Sequence, residues 1–461
     1  MDPVMLDVGA WAEREFGTCD LGDKRRTRRA VKMASQFAAN PDGSTPKQTE
    51  SWADCEAAYR LFSEKDVTFE ALTAPHFKRT RACPPGHYLL LGDTTTVTFG
   101  NQRKVEGLKP VGDGGGQGFL LHSALMVSPK GDVCGMAGQL IHFREPAPEK
   151  ETPRERLQRE DRESRIWGEV IHQVGPAAEQ VRYTHVFDRG ADNFEVYCQL
   201  LAVETDWVVR AAQLTRRIGA PLDKTMQLKE YLKGQPVGGT YELAIPARVD
   251  RKARTAKVEV RWGAVTLPRP REYSPLVGQC GVLEIGMYVV EVLEPNPPAN
   301  VEPMHWVLLT SHKVSTFSQA LQVIEFYEKR PIIEEYHKAL KTGCGLEERQ
   351  YRTSRRLTAV TGILSILAVR LLQLRTTART NPTLPARQIV PLRWLEMIRA
   401  VQKGRHQAIE TAYEFYRALA RLGGFLGRKR DGEPGWLTLW QGFEKLHLLL
   451  RGADAMKRKC V

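Results

Sequence analysis

"HYLLLGDTTTVTF", residues 87 to 99, is the stretch from which the fold is read. Three leucines that should be buried, followed by a β-branched run, predict a strand. "FLLHSALMV" (119 to 127) and "VCGMAGQLIHF" (133 to 143) continue the pattern, so three consecutive antiparallel strands are expected. A long charged helical segment, "ERLQREDRESRIWGEVIHQV" (155 to 174), comes next. After it stand a buried strand "THVFD" (184 to 188), a helix "NFEVYCQLLAV" (193 to 203) and a strand "DWVVRAA" (206 to 212). That order predicts an α/β layer with a mixed sheet.

Outward from this core the pattern changes twice. Between 213 and 312, short strands such as "GGTYELAIPA", "KVEVRWGAVTL", "MYVVEVLE" and "MHWVLLTS" are separated by Pro-rich turns like "EPNPPANVEP", which reads as a β-rich insertion. The first seventy residues and the last eighty read as helical. In the latter, Ala408, Ala412, Phe415, Leu419 and Leu422 form one stripe, and Trp436, Trp440, Phe443, Leu446 and Leu450 another. Such stripes serve either as domain core or as a dimer face. Units at 1–70, 71–375 and 376–461 are expected.

A length of 461 residues exceeds one ordinary core, and a formal charge of +13 points to a polyanionic partner. In "LGDKRRTRRAVK" (21 to 32), Arg25, Arg26, Arg28 and Arg29, with Lys24 and Lys32, cover most of a helix circumference, which favours phosphate contact over a merely solvated face. The start "MDPVMLDVGAWAEREF" is acidic where a signal peptide is basic, and "LTAVTGILSILAVRLLQL" (357 to 374) carries Arg370, so a buried helix is expected there and no membrane. Eight scattered cysteines without a C-x-x-C pair signal neither zinc nor disulfides and suit a cytoplasmic protein. "GDGGGQG" (112 to 118) matches no phosphate-binding order and reads as a flexible loop.

The densest chemistry lies in "EFYEKRPIIEEYHKALKTG" (325 to 343). Tyr327, Arg330, Glu334, Lys338 and Lys341 step by three and four residues, which on one helix keeps them on one stripe. Asp93 lies in the first strand and Asp188 ends the fourth, where α/β sheets build their sites, although a lone Asp at a strand end is more often a helix cap. Adjacent strands and a crossing helix would bring Asp93, Asp188 and Glu334 together, and three clustered carboxylates are stable with bound cations. Oxygen ligands suit Mg²⁺ or Mn²⁺, and two ions about 4 Å apart would activate one oxygen of a phosphodiester and steady the other.

These residues, with "AYRLF" (58 to 62), "FDRGAD" (187 to 192), "WVVR" (207 to 210), "HWVLLTS" (305 to 311), "YHKALKTG" (336 to 343) and "RLGGF" (421 to 425), resemble the bacterial cut-and-paste insertion-sequence DDE transposases with their Y-R-E-K signature. The resemblance implies an RNase H-like catalytic core interrupted by a β-rich insertion. It also implies an N-terminal domain binding double-stranded transposon ends and a C-terminal dimerisation domain, assembled as a homodimer on DNA. It implies nicking, hairpin formation, hairpin opening and transfer to target DNA, each at one site holding two metal ions. Asp93, Asp188 and Glu334 would hold the ions, while Arg330, Lys338, Lys341 and Tyr327 would contact phosphates. Trp306 would stack a flipped base, with Arg210 and Arg189 beside the distorted strand.

One departure is Pro331-Ile332-Ile333 where the family has Trp-x-Ile, so the helix is expected to begin near Arg330 with Tyr327 on the preceding turn. Two alternatives keep the same sheet: an end-binding regulator that does not cut, and a nuclease that never joins ends to target.

Overall fold

A computed structural model describes every residue except 1–6, 42, 101–103, 113, 147, 222–223, 246–252, 403–408, 429–430 and 460–461. The chain opens with helices α1 (Val8–Phe16), α2 (Lys24–Ala39), α3 (Thr45–Gln48), α4 (Trp52–Leu61) and α5 (Phe69–Arg81). Strands β1 (Gly86–Thr98), β2 (Lys109–Val111), β3 (Gly116–Val127) and β4 (Val133–His142) follow. Then come α6 (Pro153–Gln158), α7 (Ile166–Val174), β5 (Val181–Phe187), α8 (Phe194–Ala202) and β6 (Asp206–Arg210).

β1 pairs antiparallel with β3 and parallel with β5, and β5 runs parallel to β6, so the sheet is mixed. Leu89 and Leu91 join the core that contains α13 (Ser354–Thr380), whereas Leu90 joins Val170 and Val174 of α7 on the other side. The leucine run is therefore a central strand covered on both faces. Alternation carries Asp93 to the face of Leu89 and Leu91.

The charged segment is not one helix. Between α6 and α7 the chain passes through a 3₁₀ turn at Glu163–Arg165, because Arg162 turns inward to meet Glu195 of α8 at 2.7 Å and residues 155–165 offer no apolar stripe to hold a helix down. The glycine run at 112–118 also departs from expectation: Gly116 and Gly118 already belong to β3, and 113 lies outside the described residues.

Strands β7 (Arg217–Ala220), β8 (Lys224–Gln227), β9 (Gly239–Ile245), β10 (Arg254–Pro268), β11 (Glu284–Leu293) and β12 (His305–Thr310) come next, with short helices α9 (Leu228–Lys233) and α10 (Pro275–Cys280) among them. They extend the sheet. β12 pairs with β6 at Leu308↔Arg210, and β11 and β10 follow outward, so the edge donors of β6 are satisfied rather than exposed. Among the described residues twelve strands form one sheet, ordered β2-β3-β1-β5-β6-β12-β11-β10-β7-β8, with β4 on β3 and β9 on β10.

Helices α11 (Phe317–Glu328) and α12 (Pro331–Lys338) return to the sheet, and α13 follows them. The most apolar window of α13 is 89% buried inside the protein, which makes it a core helix. The chain ends in α14 (Leu392–Val401), α15 (Ala412–Leu422) and α16 (Trp436–Lys459). Ala412, Phe415 and Leu419, and all five of the Trp436 to Leu450 stripe, are buried within the chain, while Leu422 is half-buried. Ala408 lies outside the described residues. These stripes are core. The helix α16 turns Leu437, Leu448 and Met456 outward instead.

Candidate active site

Strand pairing builds the first half of the site. Leu91 faces Val186 in the parallel β1–β5 register, and two residues beyond each stand Asp93 and Asp188. Gly92 makes the approach possible, since a Cβ there would sit 2.2 Å from the Phe187 ring. Asp188 also fulfils the ordinary role of such an acid, accepting the Gly190 N–H at 2.8 Å to start the turn that leaves β5.

The second half comes from α12. Pro331 has no N–H to give the Tyr327 carbonyl, which accepts from Arg330 N at 3.0 Å instead, so α11 stops and α12 starts at Arg330. The expected single stripe is thus divided. Tyr327 closes α11, Glu334 lies in the first turn of α12, and Lys341 sits in a π turn at Ala339–Gly343 that shifts its phase.

Arg330 gathers the acids. Its Nη1 reaches Glu334 Oε1 at 2.5 Å, and its Nη2 lies 3.4 Å from Asp93 Oδ1 and 3.3 Å from Asp188 Oδ2. Side-chain exposure rises from 16% at Asp93 to 36% at Asp188 and 40% at Glu334, so the cluster opens to solvent on one side. Burial pushes the Asp93 carboxyl up to about 6, the guanidinium opposes that, and the Asp188 and Glu334 charges add to it.

Two neighbours were not singled out from the sequence. His337 Nδ1 lies 3.7 Å from Asp93 Oδ2, and burial holds its imidazole down to about 3, hence neutral. It stands three residues after Glu334 on the same helix, a spacing that could have flagged it. Glu347 Oε1 accepts the Thr98 N–H at 3.0 Å and pairs with Lys341 at 3.4 Å, while Lys341 Nζ also donates to the Thr96 carbonyl. Lys341 is thereby tied to β1. Sequence spacing gave no sign of Glu347, which reaches β1 only through the fold.

A second group adjoins the first. Tyr327 is buried and meets the Trp306 ring edge-to-face at 5.1 Å between centroids. Arg210 lies beside Tyr327 and donates to the His305 carbonyl at 3.1 Å. The structure does not bring in the remaining candidates: Lys338 points outward and pairs with Glu335 at 3.4 Å, and Arg189 is exposed on the turn after Asp188.

As placed, no three acidic, histidine or cysteine side chains among the described residues are arranged to hold an ion, because the acids face Arg330. Their chemistry fits one nonetheless. Three carboxylates against one guanidinium leave an anionic excess, all donors are oxygen, and one acid is already pushed toward neutrality, by burial first and then by the charges of the other two.

Family models match three segments of the chain. The model described as "Transposase DNA-binding" matches residues 8–67, "Transposase DDE domain" matches 160–370 and "Transposase Tn5 dimerisation domain" matches 366–459. The chain is a DNA transposase of the Tn5 type. A DDE domain carries dependence on a divalent metal, and the other two domains carry DNA binding and dimer formation. In the transposase, Asp188 and Glu334 lie inside the matched DDE segment, whereas Asp93 precedes it and joins them through the β1–β5 pairing.

The DNA-binding segment corrects one expectation. The α2 arginines are not a uniform cationic sleeve: Arg26 pairs with Glu64 and with Asp66 at 2.8 Å, and Arg29 pairs with Asp54 at 2.9 Å. Arg25 and Arg28 remain exposed to solvent. Half of the positive face is consumed in joining α2 to the rest of its domain.

Proposed function

We propose that the transposase performs cut-and-paste transposition in the bacterial cytoplasm, in the manner of the transposase of the composite kanamycin-resistance transposon. The observation that carries this reading is the convergence of Asp93, Asp188 and Glu334 on one point at the open side of the sheet. Residues 71–375 form an RNase H-like core with the insertion at 213–312, residues 1–70 bind the inverted-repeat ends, and residues 376–461 dimerise. The exposed Leu437, Leu448 and Met456 of α16 suit such a contact.

Asp93, Asp188 and Glu334 would hold two Mg²⁺ or Mn²⁺ ions, which would supply activation of a water or 3′ hydroxyl and stabilisation of the departing oxygen. Arg330, Lys341 and Tyr327 orient the phosphates around the scissile bond, Arg210 steadies the distorted strand, and Lys338 and Arg189, outside the cluster, contact DNA from the exposed surface beside it. A hairpin cannot keep every base stacked, and Trp306, half-buried against Tyr327, offers an aromatic face to the displaced one. The steps are end nicking, hairpin formation, hairpin opening and joining to target, with each protomer of a DNA-assembled homodimer binding one end and cutting the other.

The test uses supercoiled plasmid carrying the DNA that flanks the gene, with Mg²⁺ and either the native protein or Glu334→Gln. Excision through hairpin ends by the native protein, with binding but no cutting by the variant, supports the reading. Binding without cutting by both makes it an end-binding regulator, and cutting without joining makes it a nuclease.

A further inference from the structure

Consecutive residues on a helix point about 100° apart, so Glu335 does not share the direction of Glu334. Glu334 meets Arg330 at the acid cluster, whereas Glu335 reaches the C-terminal helix: its Oε2 accepts the Trp436 Nε1–H at 2.8 Å and pairs with Arg375 of α13. The Arg375 guanidinium lies over the Trp436 ring, 4.5 Å from its centroid, and Trp436 stacks on Trp440 at 5.2 Å. Trp440 in turn covers Gly343, the end of the π turn. The segment that carries Glu334 and Lys341 therefore touches α16 at two points. Such support matters because α12 has only eight residues and no side-chain cap at its start, too little to hold its geometry alone. Ile333 and Tyr336 bury one face of it in the core, and Glu335 adds charge-assisted bonds on its flank. Burial would raise the Glu335 carboxyl, but the Arg375 charge and the Trp436 N–H hold it below its usual range.

We propose that Glu335 is a positioning residue for metal binding: by fixing α12 to Trp436 of α16, it sets where Glu334 stands relative to Asp93 and Asp188. This rests on the metal role proposed above for the three acids. Trp436 lies in the matched dimerisation segment, so that segment supports the metal site from the side opposite the sheet's acids. Leu437, the next residue, is exposed, so a protomer contact there would bear on the same turn of α16 that holds Glu335.

Electron paramagnetic resonance titration of free Mn²⁺ with the full-length protein tests it, at pH 8, where Asp93 is deprotonated. Glu335→Ala should weaken Mn²⁺ binding by about tenfold, as loss of a group that orients a metal ligand does. Glu335→Gln, which keeps an oxygen for the Trp436 N–H, should recover most of that loss. Trp436→Phe, which keeps a ring and removes the N–H, should lose about threefold, the worth of one hydrogen bond. Arg393→Ala is the control: it frees α16 from α14 at the Asp454 pair, far along the helix from Trp436, and should leave Mn²⁺ affinity within about twofold of native. Native affinity in Glu335→Ala, or a loss in Arg393→Ala equal to that in Glu335→Ala, overturns the inference while leaving the metal role of the acids intact. If Glu334→Gln does not weaken Mn²⁺ binding either, the metal role of the acids falls, and that of Glu335 with it.

Discussion

Arg330 and Glu334, one helical turn apart, meet at 2.5 Å across the point toward which Asp93 and Asp188 also aim. The pair is an ordinary i,i+4 contact in spacing, but its surroundings make it unusual: the same guanidinium answers two carboxylates from two strands. It is the positive charge around which the acids are arranged.

That arrangement sets a pH dependence. Asp93, pushed up to about 6 chiefly by burial, binds a cation only when deprotonated, so protons compete and affinity for Mn²⁺ should rise as pH increases through about 6. Arg330 opposes the upward shift, so Arg330→Ala should move the midpoint to higher pH. Electron paramagnetic resonance titration of free Mn²⁺ between pH 5 and 8 measures both midpoints. An unchanged or lower midpoint in the variant would contradict the role given to Arg330.

Trp306 and Tyr327 should separate the steps of the reaction. On the proposed mechanism, Trp306→Ala should nick transposon ends within a few-fold of the native rate while losing at least about tenfold in hairpin formation, because only the hairpin needs a base held out of the stack. Trp306→Phe should fall between. Denaturing gels of end-labelled substrate distinguish nicked from hairpin product, and equal loss of both would assign Trp306 to the core alone.

A junction remote from the acids should govern acid stability. The buried Glu15 of α1 meets His76 Nδ1 of α5 at 2.7 Å and also pairs with Arg79, while His76 Nε2 accepts the Met136 N–H of β4 at 3.0 Å. Burial would raise the Glu15 carboxyl, but the His76 hydrogen bond and the His76, Arg79 and Arg14 charges more than offset it and hold it at about 2. Burial lowers His76 as well, against the pull of Glu15. Both folded values lie below the unfolded ones, so both contributions are present at high pH. The histidine contribution is lost as pH falls below about 6.5 and the glutamate contribution between about 4.5 and 2. Glu15→Gln should cost roughly 2–3 kcal/mol at pH 7, several degrees of melting temperature, with the difference from native shrinking toward pH 3. Differential scanning fluorimetry at several pH values checks the sign.

The π turn that carries Lys341 rests on the C-terminal helix. A Cβ on Gly343 would stand 1.9 Å from Trp440 Cζ2, with the indole itself buried in α16. Gly343→Ala should therefore cost roughly 1–3 kcal/mol by overpacking. It should also slow strand cleavage more than Gly452→Ala, at an α16 glycine where a Cβ meets nothing within 4 Å. Melting temperature and plasmid cleavage measured together would show whether the turn transmits the shift to Lys341.

Local pattern made much of this protein legible. The leucine run of β1, the strand ending at Asp188 and the β-branched segments of 213–312 were readable because strand period and turn chemistry are properties of neighbouring residues. So was the restart of the helix at Arg330, which follows from the missing N–H of Pro331. The acids were identifiable by type and position along the chain.

What the chain's neighbours in space contribute was decided only by tertiary structure. Asp93 reaches Asp188 because β1 and β5 pair in parallel, a contact spanning more than ninety residues that no local period encodes. Pairing of β12 with β6 made the insertion part of one sheet, and Asp54, Glu64 and Asp66 became ion-pair partners of Arg26 and Arg29 of α2. Arg330 became the common partner of three acids for the same reason: burial leaves a charged side chain to find its counter-ions wherever the fold places them, and that placement is fixed by packing rather than by spacing.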